Sequence, residues 1–300
     1  MQFQQTLKKN YSFEGKGLHT GKYAHMTVCP APVNTGIVFV RTDADNATVT
    51  ALAENVSNTA RSTTISQNGA SVSTIEHILS ALTGMGVDNV LIEIDNIEVP
   101  ILDGSAKPYI DAIWADGFEL QDEPRKYIEI KETVEVVNEE VGSIVRIEPA
   151  EDFSYDIKVD FNSRVLGVQH AVWNPSVVYA EEIGVCRTFV FFHEIEFLFN
   201  NGLVKGGDVD NAIVIVEHPV TEQQISRMSE LFNIPALSVR EDGYLSNLQL
   251  RFPNECSRHK LLDLIGDLRL CGGFLKAKVT AEKAGHGINT TAAKAVRKQL

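Results

Sequence analysis

The sequence predicts an α+β fold built from two similar domains. Two observations carry that expectation. Alternating, β-branched segments outnumber helix-like ones and often follow one another directly, which suits α+β layers better than a doubly wound parallel sheet. In addition, one short pattern occurs twice: a histidine opens an apolar helix that closes on glycine, at 77–84 and again at 259–266, and a strand follows each time. Read as a duplication, the echo places two equivalent helices face to face across one cleft, each bringing a histidine to the same point. Domain junctions are favoured places for ligand sites.

The elements follow from periodicity. Period-two alternation predicts strands at 24–29, 36–41, 89–94, 126–137, 143–149, 154–161, 169–173 and 274–279. Helical spacing predicts helices at 73–83, 106–115, 222–232, 258–270 and 289–299. The polar, proline-bearing stretch Gln121-Asp122-Glu123-Pro124-Arg125 reads as a domain boundary. It divides the chain into an N-terminal domain, 1–123, and a C-terminal domain, 124–300.

Three hundred residues, 44% hydrophobic and 22% charged, suffice for two packed domains. A net charge of −13 argues against general nucleic-acid binding, which needs a basic face. It leaves room for a local basic pocket that takes one phosphorylated small molecule. Cys29, Cys186, Cys256 and Cys271 form no CxxC pair, so a cysteine zinc knuckle is not expected. The N-terminus lacks the apolar core of a signal peptide, and no run is long enough for a transmembrane segment. The expected location is the cytoplasm.

Chemistry concentrates in two places. His259 and Asp263 lie four residues apart, on one face of the helix predicted there. Alone, His-x-x-x-Asp is usually a solvated helix pair. Glu76-His77, far upstream at the head of another apolar helix, changes the weighing. An adjacent Glu and His can divide roles, His77 as metal ligand and Glu76 as general base. Glu76 could otherwise be an acidic residue favoured by the helix dipole. His286, between Gly285 and Gly287, reads as a loop residue close to ligand or as part of a plain turn.

Taken in order, Gly17-Leu18-His19-Thr20-Gly21, Ser73-Thr74-Ile75-Glu76-His77, Pro100-Ile101-Leu102-Asp103-Gly104-Ser105-Ala106, Arg187-Thr188-Phe189, the 259–267 segment and Gly285-His286-Gly287-Ile288-Asn289 resemble the zinc-dependent UDP-3-O-acyl-N-acetylglucosamine deacetylases of lipid A biosynthesis in Gram-negative bacteria. The resemblance covers almost the whole chain. It implies two α+β domains, each a small sheet with paired helices and one insert, with the helices packed together around the site. It also implies a monomer acting on UDP-3-O-(3-hydroxyacyl)-N-acetylglucosamine with Zn²⁺ or Fe²⁺. By resemblance, His77, His259 and Asp263 are the metal ligands and Glu76 is the base. His286 stabilises the oxyanion and protonates the leaving amine, Asp267 partners His286, and Thr188 hydrogen-bonds the tetrahedral intermediate. Lys260 contacts the phosphate end of the substrate.

Further substrate contacts are expected from the aromatic run after Thr188. Phe189, Phe191 and Leu198 are candidates for the acyl chain, and a plain core helix would also explain that run. Lys283, Asp160 and Phe161 are candidates for the UDP end, and His19 is a weaker site candidate. Two departures stand out. An extra segment near 222–244 resembles family versions fused to a hydroxyacyl-carrier-protein dehydratase, although a chain ending at Leu300 leaves no room for that second enzyme. It reads either as a single-function chain or as a cut-down form of such a fusion. Ser62 stands where some relatives have cysteine. Two other classes compete: a non-catalytic nucleotide-sugar binding protein, and a structural metal protein, which would need a fourth protein ligand.

Overall fold

The computed structural model describes residues 2–300 apart from 201–204, 209 and 232–236; the side chains at 196, 198–200 and 231 also lie outside the description. Helices are α1 (Glu76–Gly84), α2 (Lys107–Trp114), α3 (Tyr179–Glu182), α4 (Phe192–Asn200), α5 (Glu222–Leu231), α6 (Glu255–Leu268) and α7 (His286–Arg297).

Two five-strand arrays share one topology. The first runs Tyr11–Lys16, Tyr23–Pro30, Val90–Ile94, Ile37–Arg41, Ala47–Thr50; the second runs Val134–Asn138, Ser143–Pro149, Phe274–Glu282, Ser154–Asp160, Val168–Trp173. In both, the strand last in chain order takes the central place. It lies antiparallel to its earlier neighbour and parallel to its later one, and the outer pairs are antiparallel. Each half also places its insert just before the helix that carries the histidine. The first insert is a three-stranded sheet at Val56–Asn58, Thr64–Gln67 and Ala70–Ser73; the second contains α3, α4, α5 and the parallel pair Phe189–Phe191 and Ile213–Ile215. The repeat suggested by two histidine-to-glycine helices is therefore present in strand order as well.

The strands alternate as the pleat requires. Residues of Ser154–Asp160 are buried at every second position, and the long strand Phe274–Glu282 follows the same rhythm. α6 and α7 cover the second sheet, while Tyr109 of α2 meets Phe13 of the first edge-on at 4.8 Å. Between these layers α1 and α6 pack against each other. Every residue of α1 from Glu76 to Thr83 is buried, as expected of a helix enclosed on all sides. Close approach here demands glycine: a Cβ added at Gly266 would lie 2.0 Å from the Glu76 carbonyl oxygen.

The structure corrects several local expectations. The 121–125 stretch, polar as it is, is mostly strand: Phe118–Pro124 pairs with Phe3–Leu7, and buried Arg125 forms an ion pair with Asp88 at 2.7 Å. Segment 126–137 is two strands rather than one. Tyr127–Glu129 runs parallel to Phe274–Lys276, and Val134–Asn138 joins Ser143–Ile147, with exposed Lys131, Glu132 and Thr133 turning between them. The aromatic run begins as strand Phe189–Phe191 and becomes α4 at Phe192. The extra segment forms α5, whose Ile225 and Met228 pack with Phe192, Ile195, Val214, Val216 and Leu245 in a small separate core; Phe232 lies outside the described residues.

Candidate active site

The two histidine-bearing helices pack side by side and bring their histidines to one point. His77 is the second residue of α1, and His259 and Asp263 stand one turn apart on α6. One oxygen of Asp263, Oδ1, lies 3.4 Å from His259 Nε2 and 3.7 Å from His77 Nε2. The two imidazole rings stand perpendicular, with centroids 5.0 Å apart. All three side chains are buried.

Tautomer and charge favour a cation between them. His259 Nδ1–H donates to the Cys186 carbonyl at 3.0 Å, leaving Nε2 as a bare acceptor. Burial, reinforced by neighbouring His259, pulls His77 down to about 3; burial also lowers His259. Both rings are therefore neutral at pH 7, the form that ligates. Burial opposes ionisation of Asp263, but Lys260 and the surrounding histidines outweigh it and hold the carboxyl below the usual range. Asp263 Oδ1 is buried without a hydrogen-bond partner, which is costly unless an ion completes the site. Ligand atoms around a tetrahedral zinc with bonds of about 2.0–2.1 Å sit roughly 3.3 Å apart, so the donor set fits.

Glu76 and His286 flank this cluster. His286 is the first residue of α7, not a loop residue as the glycines suggested. Its Nδ1 lies 2.9 Å from Asp267 Oδ2, and its Nε2 faces Glu76 Oε1 at 3.9 Å. Burial opposes the imidazolium, yet Asp267 and Glu76 overcome it and raise His286 to about 9. Burial pushes Glu76 up to about 7. The site thus holds a cationic acid beside a carboxylate that can take a proton near neutral pH.

A cavity of about 360 Å³ is lined by Glu76, His77, Phe161, Thr188, Phe189, Phe191, His259, Lys260, Asp263 and His286. These ten sequence candidates come from both halves of the chain. Lys260 Nζ donates to Asp263 Oδ2 at 2.8 Å, and its ammonium lies 5.6 Å from the Phe189 ring centroid. Asp267 lies behind His286. Lys283 and Asp160 do not line this cavity and pair with each other at 3.3 Å. His19 lies off the lining; Glu98, wholly buried, accepts its backbone N–H at 2.8 Å, while His19 Nε2 is buried without a partner. The Leu198 side chain lies outside the described residues.

Sequence reasoning missed other members. Thr63 clasps two site carboxylates, its N–H donating to Glu76 Oε2 at 3.0 Å and its hydroxyl to Asp267 Oδ1 at 2.6 Å. Asn289 Nδ2 donates to Asp267 Oδ2 at 2.9 Å. Arg61 and Glu194, one from each insert, join at 3.1 Å and also line the cavity. Thr74 adopts φ of 58°, an outlier for a β-branched residue, two positions before Glu76, and its hydroxyl donates to Glu98. Asn289 and Thr74, each inside a quoted motif, carried a usable signal; Thr63, Arg61 and Glu194 carried none. A larger cavity of about 620 Å³ lies at the other end of the α1–α6 seam, among Thr83, Gly84 and Leu268, away from the metal-ligand cluster. Chemistry, not volume, picks the candidate site.

Comparison with known proteins agrees with this geometry. The family model described as LpxC: UDP-3-O-acyl N-acetylglycosamine deacetylase matches residues 4–234 and 233–298. The chain is 42% identical over 301 residues to the "Bifunctional enzyme LpxC/FabZ" of Porphyromonas gingivalis, covering 100% of this chain and 65% of that protein. It is 41% identical over 298 residues to the enzyme of the same name from Bacteroides thetaiotaomicron, at 99% and 65% coverage. To the "UDP-3-O-acyl-N-acetylglucosamine deacetylase" of Saccharophagus degradans it is 40% identical over 290 residues, at 95% and 87% coverage. The chain thus spans about 65% of the length of these bifunctional relatives. With a family match running nearly end to end, it belongs to the UDP-3-O-acyl N-acetylglycosamine deacetylase family.

Proposed function

We propose that the chain hydrolyses the acetamide of UDP-3-O-(3-hydroxyacyl)-N-acetylglucosamine, releasing acetate and a free amine, an early committed step of lipid A biosynthesis. One observation carries the reading: two neutral imidazoles and an orphaned carboxylate oxygen converge in a cavity that also holds Glu76 and His286. Three protein ligands rather than four among the described residues favour a catalytic over a structural metal.

Zn²⁺, or Fe²⁺ on the same ligands, would be held by His77, His259 and Asp263 and would polarise the amide carbonyl. Glu76 takes the proton of the attacking water. The imidazolium of His286, held by Asp267, meets the charge that develops on the carbonyl oxygen, and Thr188 adds a hydrogen bond. His286 then passes its Nε2 proton to the departing amine, which leaves only when protonated. Phe189 and Phe191 offer apolar surface to the acyl chain, and Phe161, the candidate for the UDP end, meets both of them edge-on at 5.5 and 5.8 Å on the cavity wall. Lys260, on the cavity lining, is the candidate contact for the phosphate end.

The reading includes a division of the chain at 123/124, action as a monomer and a cytoplasmic location. Among the described residues no helix is long and apolar enough to cross a membrane. Acetate release from UDP-3-O-(3-hydroxyacyl)-N-acetylglucosamine, with metal-loaded and chelated protein side by side, tests the proposal. Release that needs the metal supports it. A protein that binds one zinc tightly yet releases no acetate overturns it in favour of a binding role.

A further inference from the structure

Arg187 takes part in no step above, yet it is buried and heavily engaged. Its Nε donates to Glu255 Oε1 at 3.0 Å, and its Nη2 donates to Glu255 Oε2 at 3.2 Å and to the Gln249 carbonyl at 2.5 Å. Its backbone N–H also reaches Glu255 Oε1, at 3.0 Å. Glu255 Oε2 accepts one more bond, from the Arg251 N–H at 2.5 Å. Glu255 is completely buried and is the first residue of α6, one turn ahead of His259.

The neighbours of Arg187 are the two residues that reach the centre. On one side, the Cys186 carbonyl accepts His259 Nδ1–H at 3.0 Å. On the other, Thr188 lines the cavity, its N–H donating to the Gly104 carbonyl at 2.9 Å and its carbonyl accepting the Ile213 N–H at 2.8 Å. A buried ion pair is weak evidence for stability, because desolvation offsets its attraction. Its place between two site groups supplies a different reason for it.

We propose that Arg187 and Glu255 are positioning residues, tying the 186–188 backbone to the head of α6 so that one clamp sets both the His259 tautomer and the place of Thr188. The proposal rests on the metal-dependent reading of the site. α6 carries both the clamp and the ligand, so one helical turn fixes the spacing between Glu255 and His259. The Cys186 carbonyl, held from the next residue, keeps the proton on Nδ1 and turns Nε2 toward Asp263 and His77. Outer partners of this kind typically change metal affinity or activity by about 10–100-fold when altered.

The test uses the full chain as Glu255→Gln, which keeps shape but loses charge, and Arg187→Lys, which keeps charge but loses the fork. Long-range ¹H–¹⁵N spectra of the imidazoles, taken on metal-free protein, report the His259 tautomer. Competition with a chromophoric chelator reports zinc affinity. In wild type the proton sits on Nδ1. In the variants that state gives way to a mixture, and the zinc Kd rises about 10–100-fold. kcat falls while KM stays within about twofold, because Thr188 acts on the transition state. A wild-type Nε2–H tautomer overturns the proposal, and so does a folded variant with wild-type tautomer, zinc Kd and kcat. If Glu255→Gln does not fold, Arg187→Lys and the wild-type spectrum decide by the same criteria. Zinc binding with the expected tautomer but no acetate release would sink the deacetylase reading alone.

Discussion

Glu76 Oε1 and His286 Nε2 lie 3.9 Å apart, and their surroundings move their pKa values in ways that suit opposite duties. Glu76 must be ionised to act, so activity falls as pH drops through its pKa, set near 7 by burial and lower once a dication sits beside it. His286 must be charged, so activity falls as pH rises through its pKa, raised to about 9 by Asp267 and Glu76 and lower once the dication is bound. The expected pH–rate profile is a bell. Asp267→Asn removes the carboxylate that does most to hold the imidazolium, so the alkaline limb should move down by a unit or more; an unmoved limb would remove His286 from the acid role. Glu76→Gln keeps an acceptor for the Thr63 N–H but no base. Its kcat should fall about 10²–10⁴-fold while bound zinc, read by atomic absorption, stays at wild-type stoichiometry.

At the scale of elements, the decisive feature is how closely α1 and α6 approach. Gly266 has no room for a methyl against the Glu76 backbone, whereas a Cβ at Gly285 meets nothing within 4 Å. Gly266→Ala should therefore pry the helices apart and cost about 1–3 kcal/mol or more. Gly285→Ala, in an extended N-cap geometry that alanine can adopt, should cost well under that; substituting a capping glycine by alanine typically costs about 1 kcal/mol or less. Thermal melts of both variants check the contrast, and equal melting temperatures would mean the seam yields. The inserts obey a different logic. α5 packs on a small apolar cluster of its own, apart from the main core. Its amides should exchange with deuterium before those of α6, by opening of that unit alone.

For the molecule as a whole, one continuous apolar core runs through both sheets and the two central helices, from Phe39 and Ile92 through Leu82 and Leu262 to Val279. The halves share a topology but not separate interiors. Heating should give one main transition, with the calorimetric enthalpy close to the van't Hoff value. Two resolved transitions would show that each half holds its own core. The same arrangement explains why the site exists only at the seam: His77 comes from one half, while His259, Asp263 and His286 come from the other.

The duplicated histidine-to-glycine helix, the alternating strands and the His259–Asp263 spacing were all readable along the chain, because helix and strand periodicity are local properties. Core strands such as Ser143–Pro149 and helices such as Glu222–Leu231 lay where local pattern put them, give or take a residue or two. Sequence resemblance supplied the proposed roles of Glu76, Thr188, Asp267 and His286, whose distances no local pattern encodes. Only the folded chain revealed that Thr63 clasps both Glu76 and Asp267, that Arg187 joins Glu255, and that Gln121–Arg125 belongs to a strand and a buried ion pair. Those contacts join residues up to 204 positions apart. Short polar side chains look alike in sequence whether they face water or a buried carboxylate, and tertiary packing alone selects which they meet.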